Sequence, residues 1–140
     1  MQVPILTVTN IERTYPGKVP THALRGVTLA VERGEFLAIM GRSGSGKSTL
    51  LRLLGLLDTP TSGLMVVDGK DMINISDEEK SRFRLEHLGY IFQEYALIVE
   101  LSALENVYLP AMAKGGNSSN YIKRATELLT LVGLRERLHH

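Results

Sequence analysis

The residues best suited to chemistry stand together at Gly41-Arg42-Ser43-Gly44-Ser45-Gly46-Lys47-Ser48-Thr49. Two glycines flanking four residues, followed at once by lysine and serine, give the spacing of a loop that wraps a phosphate chain. Without Cβ atoms the glycines let consecutive backbone N–H groups, from Gly41 through Ser43, Gly44, Ser45 and Gly46, turn inward around an anion. The N-terminus of a following helix adds the positive end of its dipole. Lys47 supplies a full charge within reach of β and γ phosphates, the Ser48 hydroxyl is a hard oxygen ligand suited to Mg2+, and Thr49 can donate to an α phosphate. A glycine- and serine-rich surface loop is the plain alternative. It does not explain why the segment lies between an apolar run and a helical pattern, the context in which such a loop works.

Other candidates are weaker by themselves. Tyr15 reads as a loop residue beside two strands, where an aromatic face can stack on a purine, although packing is the commoner role for a tyrosine. Gln93 follows the apolar Tyr90-Ile91-Phe92, and a neutral amide there can meet a metal-bound water or a phosphate oxygen. Asp68 ends the apolar run Leu64-Met65-Val66-Val67, but Gly69 follows it, so it reads as a turn residue. His139 and His140 are too few to hold a metal specifically.

The elements that must position these residues alternate between strand and helix patterns. Ile5 to Ile11 and Leu24 to Val31 carry alternating apolar positions, with a glycine and proline loop from Pro16 to Thr21 between them. Phe36 to Met40 is a continuous apolar run that predicts a covered strand leading straight into Gly41. A helix is expected from Ser48 to Leu57, ending before Pro60. Gly63 to Val67 reads as a strand closed by an Asp68-Gly69 turn, and Leu88 to Phe92 as another short strand. Ser76 with Glu79 and Ser102 with Glu105 are capping boxes opening helices, the first running from Asp77 to about Glu86. A polar loop from Lys114 to Ser119 precedes a last helix at about Asn120 to Val132, with Ile122, Ala125, Leu128, Leu129 and Val132 on one stripe and Gly133 as its left-handed cap.

Composition bounds the function classes. The 140 residues are 44% apolar, enough for a packed core, and sixteen Lys and Arg against fifteen Asp and Glu leave a formal charge of +1. No strong field draws the chain onto nucleic acid or anionic lipid, and no nucleic-acid partner is expected. The absence of cysteine excludes disulfides, thiolate catalysis and zinc thiolate sites. Residues Met1 to Asn10 lack the pattern of a secretory signal. The richest apolar stretch, Leu50 to Leu57, is far shorter than the roughly 20 residues that span a bilayer.

In combination these residues resemble the nucleotide-binding subunits of ABC transporters. The resemblance covers nearly the whole chain: Ala23-Leu24-Arg25-Gly26-Val27 before Glu32-Arg33-Gly34-Glu35, then Gly41 to Thr49, Leu50-Leu51, Thr61-Ser62-Gly63, Asp68-Gly69, Tyr90-Ile91-Phe92-Gln93 and Leu104-Glu105-Asn106-Val107. It implies an α/β fold, a P-loop NTPase core with an N-terminal antiparallel β subdomain. The β subdomain and phosphate loop would occupy about 1–60, connecting strands and a helix to the glutamine loop about 61–95, and the start of a helical subdomain about 96–140. It also implies ATP and Mg2+ as ligands, with Tyr15 as the adenine-stacking aromatic and Ser48 and Gln93 as the residues nearest the metal. The implied partners are a transmembrane permease subunit and a second nucleotide-binding subunit, and the implied location is the cytoplasm, peripheral on the inner face of the cell membrane.

Gly17-Lys18-Val19-Pro20-Thr21-His22-Ala23-Leu24 and Ile75-Ser76-Asp77 ahead of Arg82-Phe83-Arg84 look like the branch serving lipoprotein release, macrolide export and cell division. Arg42 and Val99 stand where proline is common in the family. A Walker B strand ending in Asp-Glu, the Leu-Ser-Gly-Gly-Gln signature and a switch histidine have no counterpart in the sequence. The expectation is a domain truncated before the Walker B and signature regions, which binds nucleotide but is incomplete for hydrolysis, with Phe36 to Met40 left as an open apolar edge prone to aggregation. Two other readings are a non-catalytic truncated remnant and a small soluble P-loop kinase. The kinase gives no reason for Gln93 together with Leu104-Glu105-Asn106-Val107.

Overall fold

The computed structural model describes residues 3–93, 95–115 and 117–140. They fall into two units, Met1–Arg84 and Leu85–His140.

The first unit is built on an antiparallel sheet of order β2-β1-β3-β4, with β1 at Leu6–Tyr15, β2 at Thr21–Val31, β3 at Ser62–Val67 and β4 at Lys70–Asp71. β1 lies between two partners: Val8 faces Leu29 on one side and Met65 on the other. Val8 and Ile11 are both fully covered although they are three residues apart, a spacing that strict alternation forbids. The ladder slips between them, where Asn10 takes a left-handed φ of 50° and its N–H bonds Thr28 Oγ1 at 2.9 Å. This bulge shifts the phase so that both side chains reach the core. The β3–β4 hairpin turns at Asp68 and Gly69, both at positive φ, as a tight primed turn requires. Asp68 pairs there with Arg33, a turn residue rather than part of any site.

Helix α1 spans Lys47–Leu54 and buries Leu50 and Leu53. It stops earlier than the sequence suggested. Leu56 adopts φ 56° while staying 4% exposed, and the Leu56 and Leu57 N–H groups bond the carbonyls of Leu53 and Arg52. The helix thus ends in a paired left-handed cap, and burial of Leu56 holds a conformation that leucine otherwise avoids. Helix α2, Asp77–His87, opens on the expected capping box: Glu79 N–H bonds Ser76 Oγ and Glu79 Oε2 accepts from Ser76 N–H at 2.9 Å.

In the second unit, α3 at Ala103–Ala113 begins at the Ser102–Glu105 box, and α4 at Ser118–Leu131 begins at Asn117, inside the segment expected to be loop. The Tyr108 and Tyr121 rings meet at 5.3 Å between these helices, and Gly133 takes the left-handed conformation just past α4. Ala125 and Leu129 of the expected stripe are buried, whereas Ile122, Leu128 and Val132 stay partly open.

Two expected strands are absent. Phe36 to Met40 and Leu88 to Phe92 join no ladder, and Phe36, Met40 and Ile91 are 93%, 89% and 98% exposed. An apolar run becomes a strand only where a neighbour satisfies its N–H and C=O groups, and neither run has such a neighbour among the described residues. Tyr15 also differs from expectation, being the last residue of β1, paired with Thr21, rather than part of a loop.

Candidate functional site

The glycine loop is held from both ends. Behind it α1 begins at Lys47 and anchors itself through Leu50 and Leu53. In front of it lies β2. Gly46, at φ 91°, approaches so closely that a Cβ would stand 2.5 Å from the Ala23 carbonyl oxygen and 2.8 Å from Leu24 Cδ2. Only glycine fits there. Gly44 is also left-handed, at φ 74°, and Ser45 N–H closes a turn on the Arg42 carbonyl at 3.2 Å.

Within this frame Lys47 folds back over its own loop, its Nζ donating to the Gly41 carbonyl at 2.9 Å and the Arg42 carbonyl at 2.8 Å. The ammonium is therefore held against the first two residues of the loop. α1 opens on Gly46 with no side-chain cap and no acid in its first turn, which leaves its first N–H groups and its positive dipole end available to an anion. Ser48 is exposed on that first turn and Thr49 is half-buried. A hollow of about 360 Å³ beside the loop is lined by His22, Ala23, Leu24, Arg25, Gly44 and Ser45. Backbone donors, the Lys47 ammonium and the Ser48 hydroxyl suit an oligophosphate with its counter-ion.

The first unit thus brings together Gly41, Ser43, Gly44, Ser45, Gly46, Lys47, Ser48 and Thr49, and it also contains Tyr15. Gln93 lies in the second unit, exposed, in the segment that joins no ladder. Among the described residues no group of three His, Asp or Glu side chains is placed to hold a metal ion. The carboxylates held below their ordinary range are structural. Hydrogen bonds from Ser102 and Ser76 lower Glu105 and Glu79, and the Ile73 N–H, followed by the Asn74 side chain, lowers Asp71.

Sequence reasoning missed two neighbours of Tyr15. Its hydroxyl donates to Asp58 Oδ2 at 2.9 Å, and the Arg13 guanidinium lies over its ring. No spacing rule ties residue 58 to residues 13 and 15, because the segment after α1 folds back against the end of β1.

Residues 24–140 match the family model described as ABC transporter. The chain belongs to the ABC transporter family. It is 44% identical over 140 residues to the lipoprotein-releasing system ATP-binding protein LolD of Shewanella frigidimarina, covering 99% of this chain and 59% of that protein. It is 45% identical over 137 residues to the macrolide export ATP-binding/permease protein MacB of Bartonella henselae, covering 97% of this chain and 21% of that protein. Among solved structures it superposes on the ATP-binding cassette MJ0796, a dimer in a post-hydrolysis state bound to ADP and Pi, with a TM-score of 0.87 and 39% identity over 96% of this chain and 60% of that one. The fold is accordingly that of the ATP-binding cassette, and the chain spans about three-fifths of the length of the LolD relative. Among the described residues no helix is long and apolar enough to cross a membrane.

Proposed function

We propose that these residues form the nucleotide-binding part of an ATP-binding subunit that couples ATP to transport through a separate membrane subunit. The carrying observation is the loop itself, with two left-handed glycines, an uncapped helix N-terminus, and a lysine whose Nζ sits 2.8 to 2.9 Å from two loop carbonyls. A full positive charge, a loop able to turn N–H groups toward an anion and an uncapped helix N-terminus within nine consecutive residues are what a β,γ-phosphate pair requires. Ser48 would ligate Mg2+, Thr49 would meet the α phosphate, Tyr15 would stack on the base, and Gln93 would meet the metal or a water bound to it. The divalent ion would neutralise phosphate charge, while the chain's own residues bind and orient the nucleotide.

Hydrolysis needs a group that orients the attacking water as well as charge around the γ phosphate. Walker B, signature and switch residues have no counterpart in the sequence, so the 140-residue chain is expected to bind Mg-ATP without useful turnover. The relatives named for lipoprotein release and macrolide export, together with the dimeric cassette, support a permease partner and a second cassette as the assembly in which the site works. The test combines equilibrium binding of Mg-ATP with steady-state phosphate release from purified chain. Saturable binding with negligible release is expected. An absence of binding sinks the nucleotide reading, and turnover of about 1 per second or more, an ordinary enzyme rate, overturns the claim that these residues do not hydrolyse.

A further inference from the structure

Arg13, Tyr15 and Asp58 form a closed cluster where the end of β1 meets the turn after α1. Arg13 Nη2 lies 2.7 Å from Asp58 Oδ1, the Tyr15 hydroxyl donates to Asp58 Oδ2 at 2.9 Å, and Arg13 Cζ stands 4.5 Å from the ring centroid. Asp58 Oδ1 also accepts from Thr59 N–H at 2.8 Å. The Arg13 and Asp58 side chains are 22% and 14% exposed, so their charges are largely withdrawn from water and held by one another.

The consequence falls on Tyr15. A tyrosine at a strand end is free to swing about two side-chain torsions, but here the hydroxyl is tethered at one end and a guanidinium covers one face of the ring. Only the opposite face is then left for a base, and Tyr15 as a whole is half-buried rather than covered. Its place along the sheet matters too, because Thr21, the strand partner of Tyr15, is two residues from Ala23, which touches Gly46 of the phosphate loop. Two residues of strand span about 7 Å, the scale that separates a base from the phosphates of one nucleotide.

We infer that Arg13 and Asp58 are positioning residues that fix Tyr15 as a one-sided stacking platform for the purine of a nucleotide whose phosphates occupy the glycine loop. The inference rests on the reading of Tyr15 as the base-stacking residue. Preorganisation lowers the ordering cost of binding, so its loss appears in affinity for the base and not for the phosphates.

The experiment measures the affinities of the full chain for Mg-ATP and for magnesium inorganic triphosphate. Arg13→Leu and Asp58→Asn are each expected to weaken ATP by about three- to tenfold, the size of a lost cation–π contact or ordinary hydrogen bond, with triphosphate affinity unchanged. Neither change should add to the loss in a Tyr15→Ala background. An unchanged ratio of ATP to triphosphate affinity in both variants, with Tyr15→Ala lowering it, overturns the positioning role and leaves the platform standing. Tighter ATP binding by Arg13→Leu shows that the guanidinium occupies the base's own face and overturns it too. An unchanged ratio in Tyr15→Ala removes the platform and the inference with it. Triphosphate binding reports an intact loop in each variant. If Arg13→Leu or Asp58→Asn loses it, Tyr15→Phe decides, since it releases Asp58 and keeps the ring. Partial loss for ATP alone supports the inference, and no loss overturns it.

Discussion

Two loops of this chain follow short apolar runs, Phe36 to Met40 before Gly41 and Leu88 to Phe92 before Gln93, and neither run is laddered. The loops nevertheless differ in how firmly they are placed. Residues 41–49 are pinned because Gly46 abuts Ala23 and Leu24 of β2, while Leu50 and Leu53 anchor α1. Gln93 lies between Ile91 and Tyr95, which are 98% and 99% exposed. Downstream, Asn106 restrains the chain beyond the glutamine, its side chain bonding the backbone of Ile98, Leu101 and Ser102. A site residue is preorganised by what its loop packs against afterwards, and the strand-like run that precedes it is not enough.

The largest expected effect tests the pinned loop. Lys47→Ala removes the ammonium held on the Gly41 and Arg42 carbonyls and should cost about 3 kcal/mol of Mg-ATP binding, roughly a hundredfold, as for hydrogen bonds to charged groups, with the fold retained. Titration of a fluorescent ATP analogue checks this, and an unchanged affinity breaks the assignment of the loop.

Gly46→Ala asks whether the packing against β2 is the pin. A side chain at φ 91° is strained by about 1–3 kcal/mol, and its Cβ would press on the Ala23 carbonyl. Urea unfolding should show at least that loss of stability, together with weaker triphosphate binding. A neutral result would mean that β2 does not hold the loop.

In the second unit the corresponding anchor is the box at the start of α3. Ser102→Ala should cost about 1 kcal/mol, as losses of helix N-caps do, read as a lowered melting temperature. The pH dependence has a definite sign. Glu105 is held below its ordinary 4.5, first by the Ser102 hydroxyl and then by the Ser102 backbone. Its contribution is therefore fully present above 4.5 and is lost as pH falls through the lowered value. The difference in melting temperature between wild type and Glu105→Ala should be constant near neutrality and shrink only in that acid range. A difference that persists at lower pH would show that the charge is not what the box uses.

The smallest effect concerns Gln93. Since no hydrogen bond holds Gln93 among the described residues, Gln93→Ala should change Mg-ATP affinity by no more than about twofold, because the cost of ordering the segment offsets what its amide contributes at the metal. A loss comparable to that of Lys47→Ala would erase the contrast between the two loops.

What the sequence determined by itself is whatever depends on neighbours along the chain. The glycine, lysine and serine spacing at 41–49, the boxes at Ser76–Glu79 and Ser102–Glu105, the Asp68-Gly69 turn and the Gly133 cap are all local, and each stands where local chemistry placed it. Tertiary structure decided what needs a second segment. The bulge at Asn10 allows Val8 and Ile11 to share one core, and burial of Leu56 ends α1 three residues early. The segment after α1 sets Asp58 against Arg13 and Tyr15 at the end of β1, although nothing in the spacing of those residues announces the contact. Phe36 to Met40 and Leu88 to Phe92 have the composition of buried strands and remain exposed. Hydrophobicity gives a segment a reason to be covered, but backbone hydrogen bonding requires a partner at the right distance, and that partner is not encoded in the segment itself.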